Sequence, residues 1–308
     1  MKVKGNWELV WMAIAMVAVL ISLIVVISRA DRDPQAQLEL KSQRLERINA
    51  MRLALSAASE EQNCAVLSAS EQTSKSYIES ASIEIAAFEQ NRSELAKLVP
   101  KRNVEVESML SNRVDETFLE FQSISDKISN LALQSSNRKA YALAFGPALE
   151  LLHSMDSDLA KVTDSQADSP SPTSFDILKK ISNARLSGYR IQVLLMPHIA
   201  EPSNGKMDEL EKKIADEDQV IQQCLVSLGS TLGESAVIAK VETQYAEFKK
   251  IKSEIIRLSR ENSDLRSVAL ALNEKRKAML ACQDALSNLE KAIRAEQIEI
   301  AIPKGRSE

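Results

Sequence analysis

Residues 118–131, FLEFQSISDKISNL, and residues 245–258, YAEFKKIKSEIIRL, carry large apolar or aromatic side chains at the same relative positions. In both stretches these side chains recur every three or four residues, and this spacing places them on one face of an α-helix. The same offset aligns Ala142-Leu143-Ala144 with Ala269-Leu270-Ala271 farther along the chain. The sequence therefore predicts one helical pattern that occurs twice.

An earlier pair of stretches supports the repeat at a slightly different offset. Ile48, Arg52 and Leu53 align with Ile181, Arg185 and Leu186 when the offset is six residues longer. A loop of variable length between two aligned helices produces such a change. Composition agrees, because 7 glycines, 8 prolines and 4% aromatic residues among 308 residues are typical of long helices. The predicted fold class is all-α.

Interruptions in the helical pattern divide the chain into predicted domains. Breaks at Pro100, at Pro197 to Gly205 and at Asn262-Ser263-Asp264 favour separate helices over a single extended coiled coil. The stretch SQADSPSPTS at residues 165–174 lacks apolar periodicity and is predicted to be a linker. We therefore predict two tandem up-down four-helix bundles, at residues 36–164 and 175–302, followed by a polar tail at residues 303–308. The pair Gly146-Pro147 predicts a kink in the fourth helix of the first bundle, whose counterpart in the second bundle reads as continuous.

An apolar segment precedes the helical repeat. Residues 7–28 are almost wholly apolar and long enough to cross about 30 Å of hydrocarbon, so they predict a transmembrane anchor behind a short tail at residues 1–6. Trp7 and Trp11 lie at one end of this segment, where indole rings prefer the headgroup layer. Ser28-Arg29-Ala30 leaves open a cleaved signal peptide, but the apolar run is longer than the usual apolar core of such peptides.

Orientation across the membrane follows only weakly from charge. Lys2 and Lys4 precede the segment, whereas five basic residues follow it within about 20 residues. Long domains can cross a membrane largely regardless of charge. The three cysteines, Cys64, Cys224 and Cys282, have no disulfide-framework spacing and do not decide the compartment. We predict a single-pass protein of a bacterial inner membrane, in contact with lipid through its anchor, with its carboxyl-terminal part periplasmic or extracellular.

Two stretches carry a resemblance to a known family. Residues 44–70, RLERINAMRLALSAASEEQNCAVLSAS, and residues 181–211, ISNARLSGYRIQVLLMPHIAEPSNGKMDELE, resemble the first helix of the extracytoplasmic four-helix-bundle sensor module of chemotaxis receptors and sensor histidine kinases. The resemblance covers about residues 36–300 in two copies. It implies a bundle that binds a small molecule or docks a partner and transmits a displacement of its last helix. Because only PKGRSE follows Ile302, we expect signalling through a partner receptor or kinase, or through a homodimer.

Candidate ligand-binding residues are three arginines and one histidine. Arg52 and Arg185 recur at matched positions near the apolar seam of a first helix, and Arg92 shares the register of apolar residues in the next helix. A guanidinium there could bind a carboxylate ligand through two parallel hydrogen bonds, or it could cover the bundle edge and pair with a neighbouring acid. His198 lies beside Pro197 where a helix is predicted to end. It is either a ligand contact or an ordinary helix-end residue.

Other function classes are disfavoured by composition. Acidic and basic residues nearly balance, at 43 and 39, so the basic surface that nucleic-acid binding requires is not expected. Two histidines and three scattered cysteines predict no metal site and no cofactor, and no Glu-x-x-His pair suggests an enzyme within a bundle. The predicted function is a membrane-anchored sensory module. The alternative is a structural scaffold that docks other envelope proteins without sensing.

Overall fold

The computed structural model describes residues 34–98, 104–167, 171–233 and 235–296, together with Met16. Within these ranges every regular element is helical, so the prediction of an all-α fold is confirmed. The elements in chain order are α1 (Pro34–Leu67), α2 (Glu71–Lys97), α3 (Val104–Gln134), α4 (Ser136–Leu143), a π-helical segment (Ala144–Ala148), α5 (Leu149–Ala167), α6 (Pro172–Ala200), α7 (Asn204–Leu232), α8 (Ala236–Glu261), α9 (Ser263–Leu270), a second π-helical segment (Ala271–Lys275) and α10 (Arg276–Ala295).

The predicted anchor at residues 7–28 lies, apart from Met16, outside the described residues. Among the helices that are described, none combines the length and the apolar character needed to cross a bilayer. Most of the predicted linker at residues 165–174 is helical instead, because α5 extends to Ala167 and α6 begins at Pro172. The Ser171 hydroxyl accepts a hydrogen bond from the Ser174 amide. A serine cap followed by proline at the first helical position is a strong helix start.

The helices form two compact units, and each unit draws on separate stretches of the chain. Unit 1 comprises Met1–Glu61, Ile78–Ser123 and Lys275–Glu308, and unit 2 comprises Gln62–Tyr77 and Ile124–Glu274. This grouping differs from the consecutive bundles, residues 36–164 and 175–302, that the sequence predicts. Only Ser135 separates α3 from α4, and a connection of one residue is shorter than those that return a helix along its predecessor.

Unit 1 is a bundle of four helical segments, taken from α1, α2, α3 and α10. The rings of Phe88 on α2 and Phe118 on α3 stack with their centroids 3.8 Å apart, and both side chains are almost fully buried. Ile48 and Met51 on α1 are also buried. The buried face of α10 contributes Ala278, Cys282, Ala285, Leu286, Leu289 and Ile293.

Unit 2 has α5, α6, α7 and α8 around its own core. One continuous apolar cluster runs through these helices and α4, and it includes Leu152, Ile191, Leu225 and Phe248. Glycine occupies position 188, where α6 approaches α5, and a Cβ atom there would lie 3.0 Å from the Leu152 Cδ2 atom. A larger residue at this position would therefore require the Leu152 side chain to move by a few tenths of an ångström.

The predicted repeat appears in unit 2 as an exchange of hydrogen bonds between two corners of the chain. Ser135 and Asn262 both adopt left-handed backbone conformations, with φ of 50° and 52°. The Ser136 amide donates to the Ser263 hydroxyl, 127 residues away, and the Ser263 amide donates back to the Ser136 hydroxyl, each at 2.9 Å. The two π-helical segments follow these corners at the same separation. The corners are thus equivalent positions of the repeat.

The units can be described in terms of this repeat. Unit 1 holds most of the first three helices of the first copy, α1 to α3, but takes its fourth helix, α10, from the second copy. Unit 2 holds the first three helices of the second copy, α6 to α8, and takes α5 from the first copy. Each copy therefore gives its last helix to the unit built on the other copy.

Candidate functional site

A groove with a volume of about 730 Å³ lies in unit 2 between α4 and the carboxyl-terminal half of α8. Such a volume is within the range of small-molecule sites. The groove is lined by Gln134, Lys139, Ala142, Leu143, Pro147, Glu254, Arg257, Leu258 and Glu261.

The apolar floor of the groove depends on the break in the helix after α4. Within the π-helical segment, Gly146 has a non-helical conformation with φ of −98° and ψ of −105°. Pro147 follows it and has no amide hydrogen to continue the helical ladder. The apolar floor is formed by Ala142, Leu143 and Pro147 on one side and by Leu258 on the other. Departures from α-helical hydrogen bonding are frequent at functional sites.

The rim of the groove carries exposed charges of both signs. The Arg257 guanidinium donates to the Glu254 carboxylate at 2.8 and 2.6 Å and also pairs with Glu261. The hydrogen bond from Arg257 holds the pKa of Glu254 below its usual value. Across the groove, Lys139 lies 3.8 Å from a Glu71 carboxylate oxygen. Because exposed ion pairs contribute little to stability, a ligand could replace these partners at small cost.

The predicted site residues Arg52 and Arg185 are both engaged with acids inside their own units. In unit 1, Arg52 on α1 pairs with Glu290 on α10 and donates to the Ser287 hydroxyl at 3.0 Å. In unit 2, Arg185 on α6 donates to the two oxygens of Asp156 on α5 at 2.5 and 3.1 Å. The bond to Asp156 raises the pKa of Arg185. In both cases the guanidinium group that could bind a ligand carboxylate is paired with a carboxylate of the chain itself.

Arg92 and His198 lie apart from the groove. Arg92 on α2 forms an ion pair of 3.0 Å with Asp115 on α3, and both side chains are partly exposed. His198, near the end of α6, is fully buried. The Ser259 hydroxyl donates to the His198 carbonyl at 2.7 Å, which leaves the hydroxyl oxygen to accept from the ring Nδ1 at 2.8 Å.

The other ring nitrogen of His198 also has a partner. Its Nε2 atom lies 2.9 Å from a Glu211 carboxylate oxygen, which accepts a hydrogen bond from Arg260 at 2.7 Å. Burial by itself would raise the pKa of Glu211, but the bonds from Arg260 and His198 outweigh this and lower it. Both ring nitrogens are therefore occupied within the bundle, and the cluster ties α6, α7 and α8 together.

A buried charge cluster in unit 1 was not predicted from the sequence. Arg44 on α1 is 2% exposed and donates to both oxygens of Glu296 at 2.8 and 3.0 Å, and it also pairs with Glu107 on α3. Burial and a hydrogen bond to Glu296 raise the pKa of Glu107 to about 7, although Arg44 acts in the opposite direction. Lys41 donates to the carbonyls of Arg294 and Glu296 at 2.7 and 2.9 Å.

Sequence reasoning therefore named none of the residues that line the groove as a ligand contact. Lys139 and Arg257 lie on polar helix faces, so apolar periodicity could not single them out. In the repeat Lys139 corresponds to Arg266, whereas Arg257 corresponds to Asn130. The pair Gly146-Pro147 was the available signal, because a kink can open space beside a helix. In the part of the chain that the structure describes, no group of three or more His, Cys, Asp or Glu side chains could hold a metal ion.

Comparison with known proteins gives no relative from which a function could be transferred. No protein-family model matches the chain, and no curated protein matches it.

Proposed function

We propose that this chain is a ligand-binding sensory module and that its ligand, a small zwitterion such as an amino acid or a dipeptide, binds in the groove beside Pro147. The observation that carries the proposal is the combination of an apolar floor with a rim of both charge signs. A ligand with one ammonium group, one carboxylate and an apolar side chain matches all three features. An anion or a cation alone would leave half of the rim unused.

The chemistry of binding follows from the groups at the rim. Lys139 and Arg257 would receive the ligand carboxylate, and Glu254 and Glu261 would receive the ammonium group. Because the rim is exposed to solvent, each of these contacts contributes roughly 0.2–1 kcal/mol. The ligand side chain would cover Leu143, gaining roughly 25 cal/mol for each Å² of apolar surface removed from water.

The membrane anchor at residues 7–28 and a periplasmic or extracellular position belong to the same proposal. The apolar run at residues 7–28 and the resemblance of residues 44–70 and 181–211 to receptor sensor modules support it. A signal would then pass to a partner receptor or kinase, or between two copies of the chain. We expect that ligand binding at the groove changes the packing of α4 against α8, because both helices line the groove.

The test is ligand-dependent stabilisation of the full-length protein in detergent. Thermal unfolding in the presence of each amino acid and a set of dipeptides should reveal at least one compound that raises the melting temperature, since a ligand of the folded state stabilises by mass action. With that compound, Arg257→Ala should weaken binding about 2- to 5-fold in calorimetry, because one exposed ion pair with the ligand is lost.

The matched control for Arg257→Ala is Arg113→Ala. Arg113 on α3 is an exposed arginine in an i,i+3 ion pair with Glu116, as Arg257 is with Glu254, but it belongs to unit 1. Its replacement should leave the affinity unchanged. Equal effects of the two substitutions, or no stabilising amino acid or dipeptide for a folded sample, would contradict the proposed function.

A second candidate function is a scaffold that docks other envelope proteins and binds no small molecule. The observation that favours it is that the matched arginines Arg52 and Arg185 each hold an acid of the fourth helix in their unit. Such pairs fix helices in place. The same screen separates the two functions, because a scaffold would show no stabilisation by any small zwitterion.

A further inference from the structure

The outer surface of α5 and α6 in unit 2 carries several exposed or half-buried apolar side chains. We call it the α5–α6 face and define it by Leu149, Leu186, Tyr189 and Val193, with Phe145 at its end in the π-helical segment. Val193 is 69% exposed, Phe145 61% and Leu186 49%. Large exposed apolar patches on soluble surfaces commonly mark interaction sites.

Contacts between the two helices show that the segments carrying these side chains are adjacent. The Gln192 side chain donates to the Ala144 carbonyl at 2.8 Å, so the backbone at Val193 and the backbone at Phe145 lie close together. The ring of His153 lies 6.4 Å from that of Tyr189, so the middle of α5 faces the middle of α6. At positions 186, 189 and 193 the spacing of three and four residues keeps the side chains on one side of α6.

The internal repeat provides a comparison for this face. In unit 1 the equivalent surface is formed by α1 and α10, where Tyr189, Val193 and Leu149 correspond to Ser56, Glu60 and Arg276. Leu186, however, corresponds to Leu53, which is also an exposed leucine. Packing of the bundle does not require an apolar side chain at the position of Val193, because the matched residue in unit 1 is the charged Glu60.

Charged residues border the α5–α6 face on opposite sides. Glu150 is exposed on α5, about 120° around the helix from Asp156, which contacts α6. Arg190 lies on the side of α6 away from α5, where it is 56% exposed and 3.4 Å from Glu217 on α7. Since the Gln192 and Arg185 contacts align the two helices, Glu150 and Arg190 are at about the same height along the bundle.

We propose that the α5–α6 face binds the same face of a second copy of this chain. A two-fold axis parallel to the helices would place α5 of each copy over α6 of the other, as a self-complementary contact requires. Glu150 of one copy would then face Arg190 of the other on both sides of a shared apolar centre. A partner with one predominant charge would satisfy only one of the two borders, whereas the second copy satisfies both.

The expected interaction is weak. The face spans about 10 Å along α6 from Leu186 to Val193, at 1.5 Å per residue. Two helices wide, it covers at most a few hundred Å², which is below the roughly 800 Å² per partner of stable complexes. A dissociation constant in the micromolar range or weaker is therefore expected for the protein in solution. Copies held in one membrane would associate more readily because their effective concentration is higher.

The test is sedimentation velocity of the full-length protein in detergent over a range of concentrations. The wild-type chain should show a monomer–dimer equilibrium, and Val193→Asp should weaken dimerisation at least about 10-fold. The matched control is Leu53→Asp, because Leu53 is 73% exposed at the position in α1 that corresponds to Leu186, and it should leave the equilibrium unchanged.

Charge exchange tests the orientation of the two copies. Glu150→Arg alone should weaken the dimer, and Glu150→Arg combined with Arg190→Glu should restore it, with thermal unfolding confirming that every variant is folded. A protein that stays monomeric at the highest concentration, or a dimer that Val193→Asp and Leu53→Asp affect equally, would overturn the proposal. Failure of the double exchange to restore a dimer that Val193→Asp disrupts would overturn the proposed pairing.

Discussion

Glu107 is the residue whose protonation should most directly affect the stability of unit 1. Its pKa is raised to about 7 by burial and by a hydrogen bond to Glu296, compared with about 4.3 for an unperturbed glutamate. Between these values the folded state keeps a proton that the unfolded state releases. The free energy of unfolding should therefore fall as pH rises from about 4.5 to 7, with this group contributing at most about 1.4 kcal/mol per pH unit.

Glu107→Gln should remove this contribution, because glutamine stays neutral while it can still accept from Arg44. Urea unfolding of the variant and the wild type at several pH values measures the difference, which should grow in favour of the variant as pH approaches 7. Glu116→Gln is the control on the same helix, since Glu116 is 66% exposed. Parallel pH profiles for Glu107→Gln and the wild type would show that Glu107 does not retain its proton.

At the same scale, the sequence identified some residues but not what they contact. The matched positions of Arg52 and Arg185 were visible in the sequence, and the structure gives both a carboxylate on the fourth helix of their unit. The acids themselves could not be found in advance. Glu290 and Asp156 are among 43 acidic residues, and the choice depends on which copy supplies the fourth helix.

The starts of α4 and α9 are joined by the two exchanged hydrogen bonds between Ser136 and Ser263. Each hydroxyl accepts from the first amide of the helix that begins at the other serine, so Ser136→Ala should leave a buried amide of α9 unpaired rather than one of α4. A lost helix cap of this kind costs about 1–2 kcal/mol. We expect that loss from either Ser136→Ala or Ser263→Ala in denaturant unfolding.

Hydrogen exchange can distinguish the two helices in these variants, because Ser136→Ala should increase exchange at the start of α9 and Ser263→Ala at the start of α4. Ser82→Ala is the control, since the exposed Ser82 hydroxyl bonds only within its own helix. An increase confined to the helix that carries the substitution would be inconsistent with the exchanged caps.

The two π-helical segments have unequal signals in the sequence. The segment Ala144–Ala148 contains Gly146, with its non-helical backbone, and Pro147, which together predict a kink, but its counterpart Ala271–Lys275 reads ALNEK. Helical structure runs without a gap from Ser263 to Ala295, and the sequence did not predict the π-helical segment within it. Because ALNEK contains good helix formers, its π-helical geometry must come from the surroundings, where Lys275 is buried and donates to the Ser59 carbonyl at 2.8 Å.

For the whole molecule, periodicity predicted the helices and the repeat but not which helices share a core. The apolar faces of α5 and α10 are similar in both copies, so either helix could complete either bundle as far as the pattern shows. The one-residue connections at Ser135 and Asn262 decide the matter, because they are too short to return a helix along its predecessor. The sequences Gln-Ser-Ser-Asn around Ser135 and Asn-Ser-Asp beginning at Asn262 also occur in longer loops. They therefore do not identify a connection of one residue.

Cleavage between α5 and α6 provides a direct test of the exchanged fourth helices. A protease site built into residues 168–170 of the full-length protein would give two fragments, one ending with α5 and one beginning with α6. Unit 1 needs α10 from the second fragment, and unit 2 needs α5 from the first. The fragments should therefore remain together in size-exclusion chromatography after cleavage and separate only when denaturant unfolds the helices. Consecutive bundles at residues 36–164 and 175–302 would instead each keep a complete core, so two folded fragments that separate on dilution would refute the exchange.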